Sequence, residues 1–306
     1  MTPAEPETVS GRDGGAAAAM HAMTVDVEDY FQVEAFASSI DRADWERLPR
    51  RVERNTERLL DILADAEVKA TFFMLGWVAQ RHPALVRRIV AEGHELASHG
   101  SDHRRADSQA PEAFRLDVRN AKRLLEDTGG VAVRGYRAPT FSIGPQNAWS
   151  HAVLAEEGYR YSSSLYPRGR AGRGGRATPC APFAPVPDLV EIPLTTVRLC
   201  GINIPASGGG YFRLFPCGFS EWLLSRAGRT NAMPAVFYLH PWEIDPAQPR
   251  QHQAPALSRF RHYLNLNRTE ARLHRLLDRF AWTRMDRLFL APASPFALVP
   301  AWTDRS

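Results

Sequence analysis

Two imidazoles four residues apart, in Ser98-His99-Gly100-Ser101-Asp102-His103, are the groups of this chain best placed to do chemistry. They follow a short apolar strand candidate, Leu96-Ala97. Residues four apart share one face of a helical turn, so His99 and His103 can close on a single metal ion. The spacing alone would equally describe two solvated loop histidines. Acid earlier in the chain changes the reading: Thr24-Val25-Asp26-Val27-Glu28-Asp29 is a strand running into three carboxylates. Like charges at one strand end cost free energy unless a cation or an arginine offsets them, or one carboxyl stays protonated. Two histidines and one carboxylate make a divalent site with room for water, the layout of a hydrolytic metal centre. Period-two alternation sends Asp26 and Glu28 to the same side of the strand. With Glu28 on the metal, Asp26 stands beside it as a base. Asp29, where the strand gives way to loop, is the other candidate ligand, and the sequence leaves the two open.

Two further segments fit the same centre. Arg134-Gly135-Tyr136-Arg137-Ala138-Pro139-Thr140-Phe141 follows the strand candidate Val131-Ala132-Val133 and brings the Arg137 guanidinium to a strand end, with Pro139 fixing the backbone after it. Such a fork can hold Asp26 ionised and aimed. Ala235-Val236-Phe237-Tyr238-Leu239-His240-Pro241-Trp242 is an apolar run suited to a strand buried on both faces, ended by a histidine. His240 is then a candidate general acid; alone it would read as a packing residue, but the other strand-end groups favour the chemical role.

In this order, the Asp-containing strand end, S-H-G-x-D-H, R-A-P-x-F and a late apolar L-H resemble the polysaccharide deacetylase family, also called the NodB-homology or carbohydrate esterase 4 group. Within it, Asp26-Val27-Glu28-Asp29-Tyr30-Phe31, Gly208-Gly209-Gly210-Tyr211-Phe212-Arg213 and His240-Pro241-Trp242-Glu243 look most like a branch associated with exosortase and exopolysaccharide loci. The resemblance covers about residues 23–290. It implies that Asp26 is the base, that His99 and His103 bind a metal with an acidic residue near Asp26, that Arg137 orients the base, and that His240 is the acid. Two departures stand out. Most of the family has adjacent aspartates where this chain has Asp26-Val27, which moves the carboxylate ligand to Glu28 or Asp29. The family's tyrosine-aspartate-serine element appears as Tyr161-Ser162-Ser163-Ser164, with Ser162 where an aspartate is usual.

The expected chemistry is hydrolytic. A divalent ion, Zn2+ first and Co2+, Ni2+ or Fe2+ as alternatives for two histidines and one carboxylate, binds water and lowers its pKa. Asp26 takes the proton, the acetamide of an N-acetylated sugar is attacked, and His240 protonates the departing amine. Trp242, Leu239 and Phe141 are candidates for apolar walls around the acetyl methyl, each also readable as ordinary core.

The elements that must position these groups are short. Strand candidates fall near 23–28, 69–75, 94–98, 131–137, 159–163, 189–194 and 235–240. Helical spacing recurs at Val52, Thr56, Leu59, Leu60 and Leu63, and at Leu85, Val86, Ile89 and Val90 between Pro83 and Gly93. It recurs again at Phe114, Val118, Ala121, Leu124 and Leu125 before Gly129-Gly130, and a fourth helix is expected between Pro145 and Gly158. Alternating β and α with functional residues at successive strand ends predicts an α/β fold of (β/α) barrel type, and seven strands fit the distorted, incomplete (β/α)7 barrel that the resemblance to the deacetylases implies. Residues 165–215, rich in proline and glycine, read as an excursion over the barrel mouth, and Leu273, Leu276, Leu277 and Phe280 as one face of a final amphipathic helix. The expected organisation is a tail over 1–22, one domain over 23–290 and a tail over 291–306, with no internal repeat.

Composition fits an enzyme. With 306 residues, 44% hydrophobic and 24% charged, the chain can bury a sizeable core. No apolar run reaches transmembrane length, and Met1–Ala19 lacks a basic region followed by an apolar stretch, so it does not read as a signal peptide. Cys180, Cys200 and Cys217 have no metal-type spacing and read as free thiols in a reducing cytoplasm. The net charge of +4 is mild. The cluster from Arg168 to Arg176 lacks interleaved aromatics, so it reads as a solvated loop rather than a nucleic-acid site. The expected partner is an acetylated oligo- or polysaccharide, taken as a lipid-linked or nascent glycan at the inner side of the membrane, and a homo-oligomer is left open. Two other readings are hydrolysis of a small cyclic amide or imide, which need not use metal, and a glycan-binding relic without turnover.

Overall fold

The first strand shows what organises the chain. Every residue of β1 (Met20–Val27) after Met20 is buried, as a strand flanked on both sides and covered on both faces requires. Met23, Val25 and Val27 face the helix layer, while Ala22, Thr24 and Asp26 alternate with them toward the interior. The structure is a computed structural model that describes residues 20–167, 169–170, 178–230, 233–291 and 299–300. Of the expected tails over 1–22 and 291–306, residues 1–19, 292–298 and 301–306 lie outside the described residues, as does most of the arginine cluster at 168–176. β1 begins at Met20, three residues ahead of the expected boundary.

The expected alternation follows. After β1 come α1 (Val52–Asp65), β2 (Thr71–Met74), α2 (Gly76–Arg81), α3 (Pro83–Ala91), β3 (Glu95–Ser98), α4 (Pro111–Gly129), β4 (Gly135–Tyr136), α5 (Trp149–Glu156) and β5 (Tyr161–Ser162). β6 (Gly169–Arg170), β7 (Phe183–Val186), β8 (Leu189–Glu191), β9 (Thr196–Leu199), β10 (Ile202–Pro205), α6 (Gly209–Leu214), α7 (Cys217–Thr230) and β11 (Val236–Leu239) come next. The chain closes with α8 (Ala256–Tyr263), α9 (Leu266–Arg279), β12 (Ala281–Thr283), α10 (Met285–Phe289) and β13 (Val299–Pro300). The apolar faces read from spacing are the buried ones: Val52, Thr56, Leu59, Leu60 and Leu63 on α1, Phe114, Val118, Ala121 and Leu125 on α4, and Leu273, Leu276 and Leu277 on α9. α2, only six residues long, was not expected.

The sheet runs β11-β1-β2-β3-β4-β5-β8-β7-β13, with β12 added to β1. Its first seven strands are mutually parallel and coincide with the seven expected ones, while β7 runs antiparallel to β8. The ladder gives the seven parallel strands of the expected distorted (β/α)7 barrel without confirming a barrel: among the described residues β8 and β11 do not pair, and the sheet is open. After β8 the chain leaves as the β9–β10 hairpin and returns along 206–208, so this strap lies between the two strands. Val236 N donates to Thr195 Oγ1 at 2.7 Å, Tyr238 N donates to Ser207 O at 2.6 Å, and Gly208 forms an isolated parallel bridge with Tyr238. Gly208 has φ 108°, and a Cβ there would stand 2.1 Å from the Tyr238 carbonyl oxygen, so only glycine admits the approach.

Inward-facing Ala22, Phe73, Ala97, Tyr161, Val236 and Tyr238 pack with Met285 and Phe289 of α10. The interior is thus filled below Asp26, and polar groups gather where the strands end.

Candidate active site

Each functional side chain sits at or just beyond the carboxyl end of a parallel strand. β1 carries Asp26 and leads to Glu28, β3 to His99 and His103, β4 to Arg137, β5 to Ser163 and β11 to His240. This is where ligands bind in parallel α/β folds, because the loops there are free to vary over a fixed sheet.

Glu28, His99 and His103 are buried, and one ligand atom from each lies within 4.8 Å of the others. The Nδ1 of His99 is taken by the Arg137 carbonyl at 2.8 Å, which directs its Nε2 to the cluster. His103 Nε2 lies 2.7 Å from Glu28 Oε2, an oxygen with no hydrogen-bond partner. Burial would raise the Glu28 carboxyl, but the facing imidazoles of His103, His240 and His99 outweigh it and lower it to about 2. Burial lowers His99 to about 4. An ionised carboxylate and a neutral imidazole are the forms that ligate a cation, so this set fits a divalent metal. His103 is held at φ 57° in a turn whose carbonyls, Asp102 O and His103 O, accept from Arg42 at 3.0 and 3.2 Å.

Asp29 is not part of this set. Its Oδ2 accepts from Arg51 N at 2.7 Å and Val52 N at 3.0 Å, and its Oδ1 from Tyr30 N at 2.9 Å, so it caps the start of α1. Burial raises its carboxyl to about 6 despite these donors. The alternative ligand is therefore corrected: both of its oxygens are committed to backbone.

Asp26 is 1% exposed and Arg137 0%. Arg137 Nη1 donates to Asp26 Oδ1 at 2.6 Å and to Thr24 Oγ1 at 2.8 Å. Its Nε and Nη2 donate to Ser163 O and Ser163 Oγ, both at 3.2 Å, and Phe73 lies 4.0 Å beneath the guanidinium. A planar donor fork gripped on two edges and one face fixes the carboxylate it holds.

On the opposite side, His240 Nδ1 faces Glu243 Oε1 at 2.7 Å and His240 Nε2 lies 3.5 Å from Glu28 Oε1. Glu243 Oε2 accepts from Arg213 Nε at 2.6 Å. The other edge of Arg213 is bound to carbonyls at the end of α8, His262 O at 2.6 Å among them. Burial would lower His240, but Glu28, Glu243 and Asp26 outweigh it and raise the imidazole to about 9. Burial would likewise raise Glu243, and Arg213 and His240 outweigh it, bringing the carboxyl to about 2. Arg213 and Glu243 are functional candidates that sequence reasoning missed, although both lie in segments it had singled out: Gly208–Arg213 and His240–Glu243 meet at their last residues.

Of the proposed acetyl walls, Trp242 borders the site: its ring stacks on His240 with centroids 5.1 Å apart, and its Nε1 donates to Glu28 Oε1 at 3.3 Å. Leu239 is core, and Phe141 packs against Tyr238 at 4.9 Å. Ser162 stands where the resemblance expects a carboxylate, and its Oγ donates to Ser164 Oγ at 2.8 Å. All three cysteines are free. Among the described residues, no helix is long and apolar enough to cross a membrane.

Residues 39–162 match the sequence profile of polysaccharide deacetylases, and residues 163–290 match a domain of unknown function, DUF3473. A chitooligosaccharide deacetylase of Rhizobium leguminosarum bv. trifolii is 39% identical over 101 residues, 33% of this chain and 44% of that protein. A peptidoglycan-N-acetylglucosamine deacetylase of Bacillus cereus is 37% identical over 71 residues, 23% of this chain and 33% of that protein. The chain thus spans less than half the length of these curated relatives. A solved structure from Mycobacterium smegmatis, assigned as a polysaccharide deacetylase, aligns over 100% of this chain and 99% of its own, with a TM-score of 0.60 and 22% identity, a likeness of fold.

Proposed function

We propose, from the premise that this chain belongs to the polysaccharide deacetylase family, that it is a metal-dependent hydrolase removing acetyl groups from N-acetylated sugars of a bacterial polysaccharide. One observation carries the reading: the Glu28, His99 and His103 ligand atoms converge between a carboxylate held by an arginine, Asp26, and an imidazole held by a carboxylate, His240. Neither a glycan-binding relic nor a metal-free amidase needs both pairs and the ligand set between them.

Glu28, His99 and His103 would hold the cation, which when bound supplies a Lewis acid that acidifies water and polarises the acetamide carbonyl. Asp26, with Oδ1 committed to Arg137, accepts the proton of the attacking water on its other oxygen. The water oxygen bonds to the carbonyl carbon. His240, kept protonated by Glu28 and Glu243, gives its Nε2 proton to the sugar nitrogen as the C–N bond breaks, releasing acetate and a free amine. A cavity of about 130 Å³ lined by Phe31, Arg42, Trp45 and His103 gives space beside the cluster for a neighbouring sugar. We take the seven parallel strands with the 206–208 strap as a distorted (β/α)7 barrel, and a nascent or lipid-linked glycan as the substrate of a cytoplasmic protein.

The test is acetate release from N-acetylglucosamine oligomers by metal-stripped protein, with and without added Zn2+ or Co2+, beside His99→Ala. Metal-restored release that His99→Ala lacks is the expected result. Release that is indifferent to metal would overturn the metal dependence, and no release from any oligomer while metal still binds would overturn the deacetylase reading in favour of the small-amide hydrolase.

A further inference from the structure

Glu191, at the carboxyl end of β8, is 0% exposed and takes no part in the chemistry above. We propose that Glu191, with its partner His151, is a positioning residue: it sets the turn 162–165 that clamps the Arg137 guanidinium onto Asp26. The kinetic part of this inference rests on the deacetylase reading; its structural part does not.

Glu191 Oε1 accepts from Ser164 N at 2.8 Å and Leu165 N at 2.9 Å, and Oε2 faces His151 Nε2 of α5 at 3.1 Å. Burial would raise this carboxyl, but the facing His151 and the Ser164 N–H outweigh it and hold it below its ordinary value. A buried ion pair is a poor source of stability compared with apolar side chains of the same volume. What it supplies here is a fixed backbone. Ser164 Oγ accepts from Ala138 N at 2.9 Å, and Ser163 N donates to Tyr136 O at 2.9 Å, so the turn is stitched to both ends of the Arg137 segment. Between these stitches, Ser163 presents its carbonyl and hydroxyl oxygens to the guanidinium edge that faces away from Asp26. Without Glu191, two buried N–H groups lose their acceptor, the turn relaxes, and the fork that aims Asp26 loses its back support. The metal ligands are spared: the Arg137 carbonyl that orients His99 is fixed separately, by Arg137 N donating to Ser98 O at 2.9 Å.

Glu191→Ala should lower kcat on an N-acetylglucosamine tetramer about 10- to 100-fold, with KM within about twofold and Zn2+ affinity unchanged. Glu191→Gln, which keeps an acceptor for the two N–H groups, should retain most of the activity. In an Arg137→Ala background, Glu191→Ala should cost less than about twofold, because the group it positions is already gone. An equal loss in both backgrounds, or a loss matching the unfolded fraction, would overturn the proposal. Ser163→Ala carries the same cycle should Glu191→Ala not fold. Hydrogen exchange of the Arg137 Nε–H, followed by ¹⁵N NMR, decides the matter without turnover. It should speed up at least about tenfold in Glu191→Ala, and unchanged exchange would sink the idea, whereas a wild type that releases no acetate sinks only the deacetylase reading.

Discussion

The two matched regions divide the candidate site by charge. The region matched to polysaccharide deacetylases supplies His99, His103 and Arg137, which on the proposed reading serve the metal and the base; the region matched to the domain of unknown function supplies Arg213, His240 and Glu243, which on that reading serve the acid. Asp26 and Glu28, on and just after β1, precede both and face each. Each half is anchored by a buried arginine, 0% exposed at Arg137 and 2% at Arg213. The difference is the number of links between that arginine and the reacting group. Arg137 touches Asp26 directly, the group proposed to accept a proton. Arg213 touches Glu243, which touches His240, and this extra link leaves a cation that can give one. In the proposed function the same side chain thus supports the base at one link and the acid at two, and the second region would share in the chemistry.

The comparison breaks first at Asp26. Asp26→Asn keeps the Arg137 contact but removes the proton acceptor, and acetate release should fall about 10³-fold with Zn2+ affinity unchanged; a fall below about tenfold would remove Asp26 from the base role. Next comes the carboxylate facing both halves. Glu28→Gln should weaken Zn2+ binding about 100-fold, while Asp29→Asn should leave it intact and lower stability by about 1 kcal/mol through the cap at α1. Titration calorimetry with Zn2+ and urea unfolding separate the two, and the reverse pattern would restore Asp29 as the ligand.

The third test addresses the extra link. Glu28, Glu243 and Asp26 raise His240 to about 9 in the metal-free chain, and a cation on Glu28 would offset part of that, so the acid form is lost and kcat/KM should fall as pH rises through a value below 9. Glu243→Gln removes one of the anions that raise it, and the limb should move down by about one unit, with activity at neutral pH reduced about tenfold. A limb that stays in place would mean that Glu243 orients the ring without setting its charge.

How much of this was legible in the sequence follows the distance over which each relation acts. Strand-end chemistry showed because Asp26 and Glu28 alternate within three residues and His99 and His103 lie four apart. The separation of Asp29 from the Glu28 cluster did not, because Asp29 is held by Arg51 and Val52, the backbone of a helix start more than twenty residues away. Arg213 and Glu243 lay in plain view, but thirty residues and a strand separate them, and only the strap against Tyr238 brings their segments together. The seven parallel strands were readable from apolar runs bounded by glycine and proline; the open seam between β8 and β11 was not, since it depends on where the 206–208 strap returns.

Glu95 is a control on the same logic, a buried carboxylate that no arginine touches. It lies at the amino end of β3 and accepts only from neutral donors among the described residues: Thr71 Oγ1 at 2.6 Å, Tyr161 Oη at 2.9 Å and Asp286 N at 3.1 Å. Asp286 is itself paired with Arg284 at 2.6 Å. Burial, with the Asp286 charge, raises the Glu95 carboxyl to about 7. The folded chain therefore holds this proton more tightly than the unfolded one, and the sign follows: the contribution to stability is full below the ordinary value of 4.5 and is lost as pH rises through 7. The loss is at most roughly 3 kcal/mol. Glu95→Gln keeps a neutral amide in place and removes this titration, so between pH 5 and 8 the wild type should lose stability by urea unfolding relative to Glu95→Gln. A wild type that gains stability over that interval relative to Glu95→Gln would mean that Glu95 is held as an anion. The charge of a buried carboxylate in this fold would then not be set by whether an arginine or an imidazole faces it.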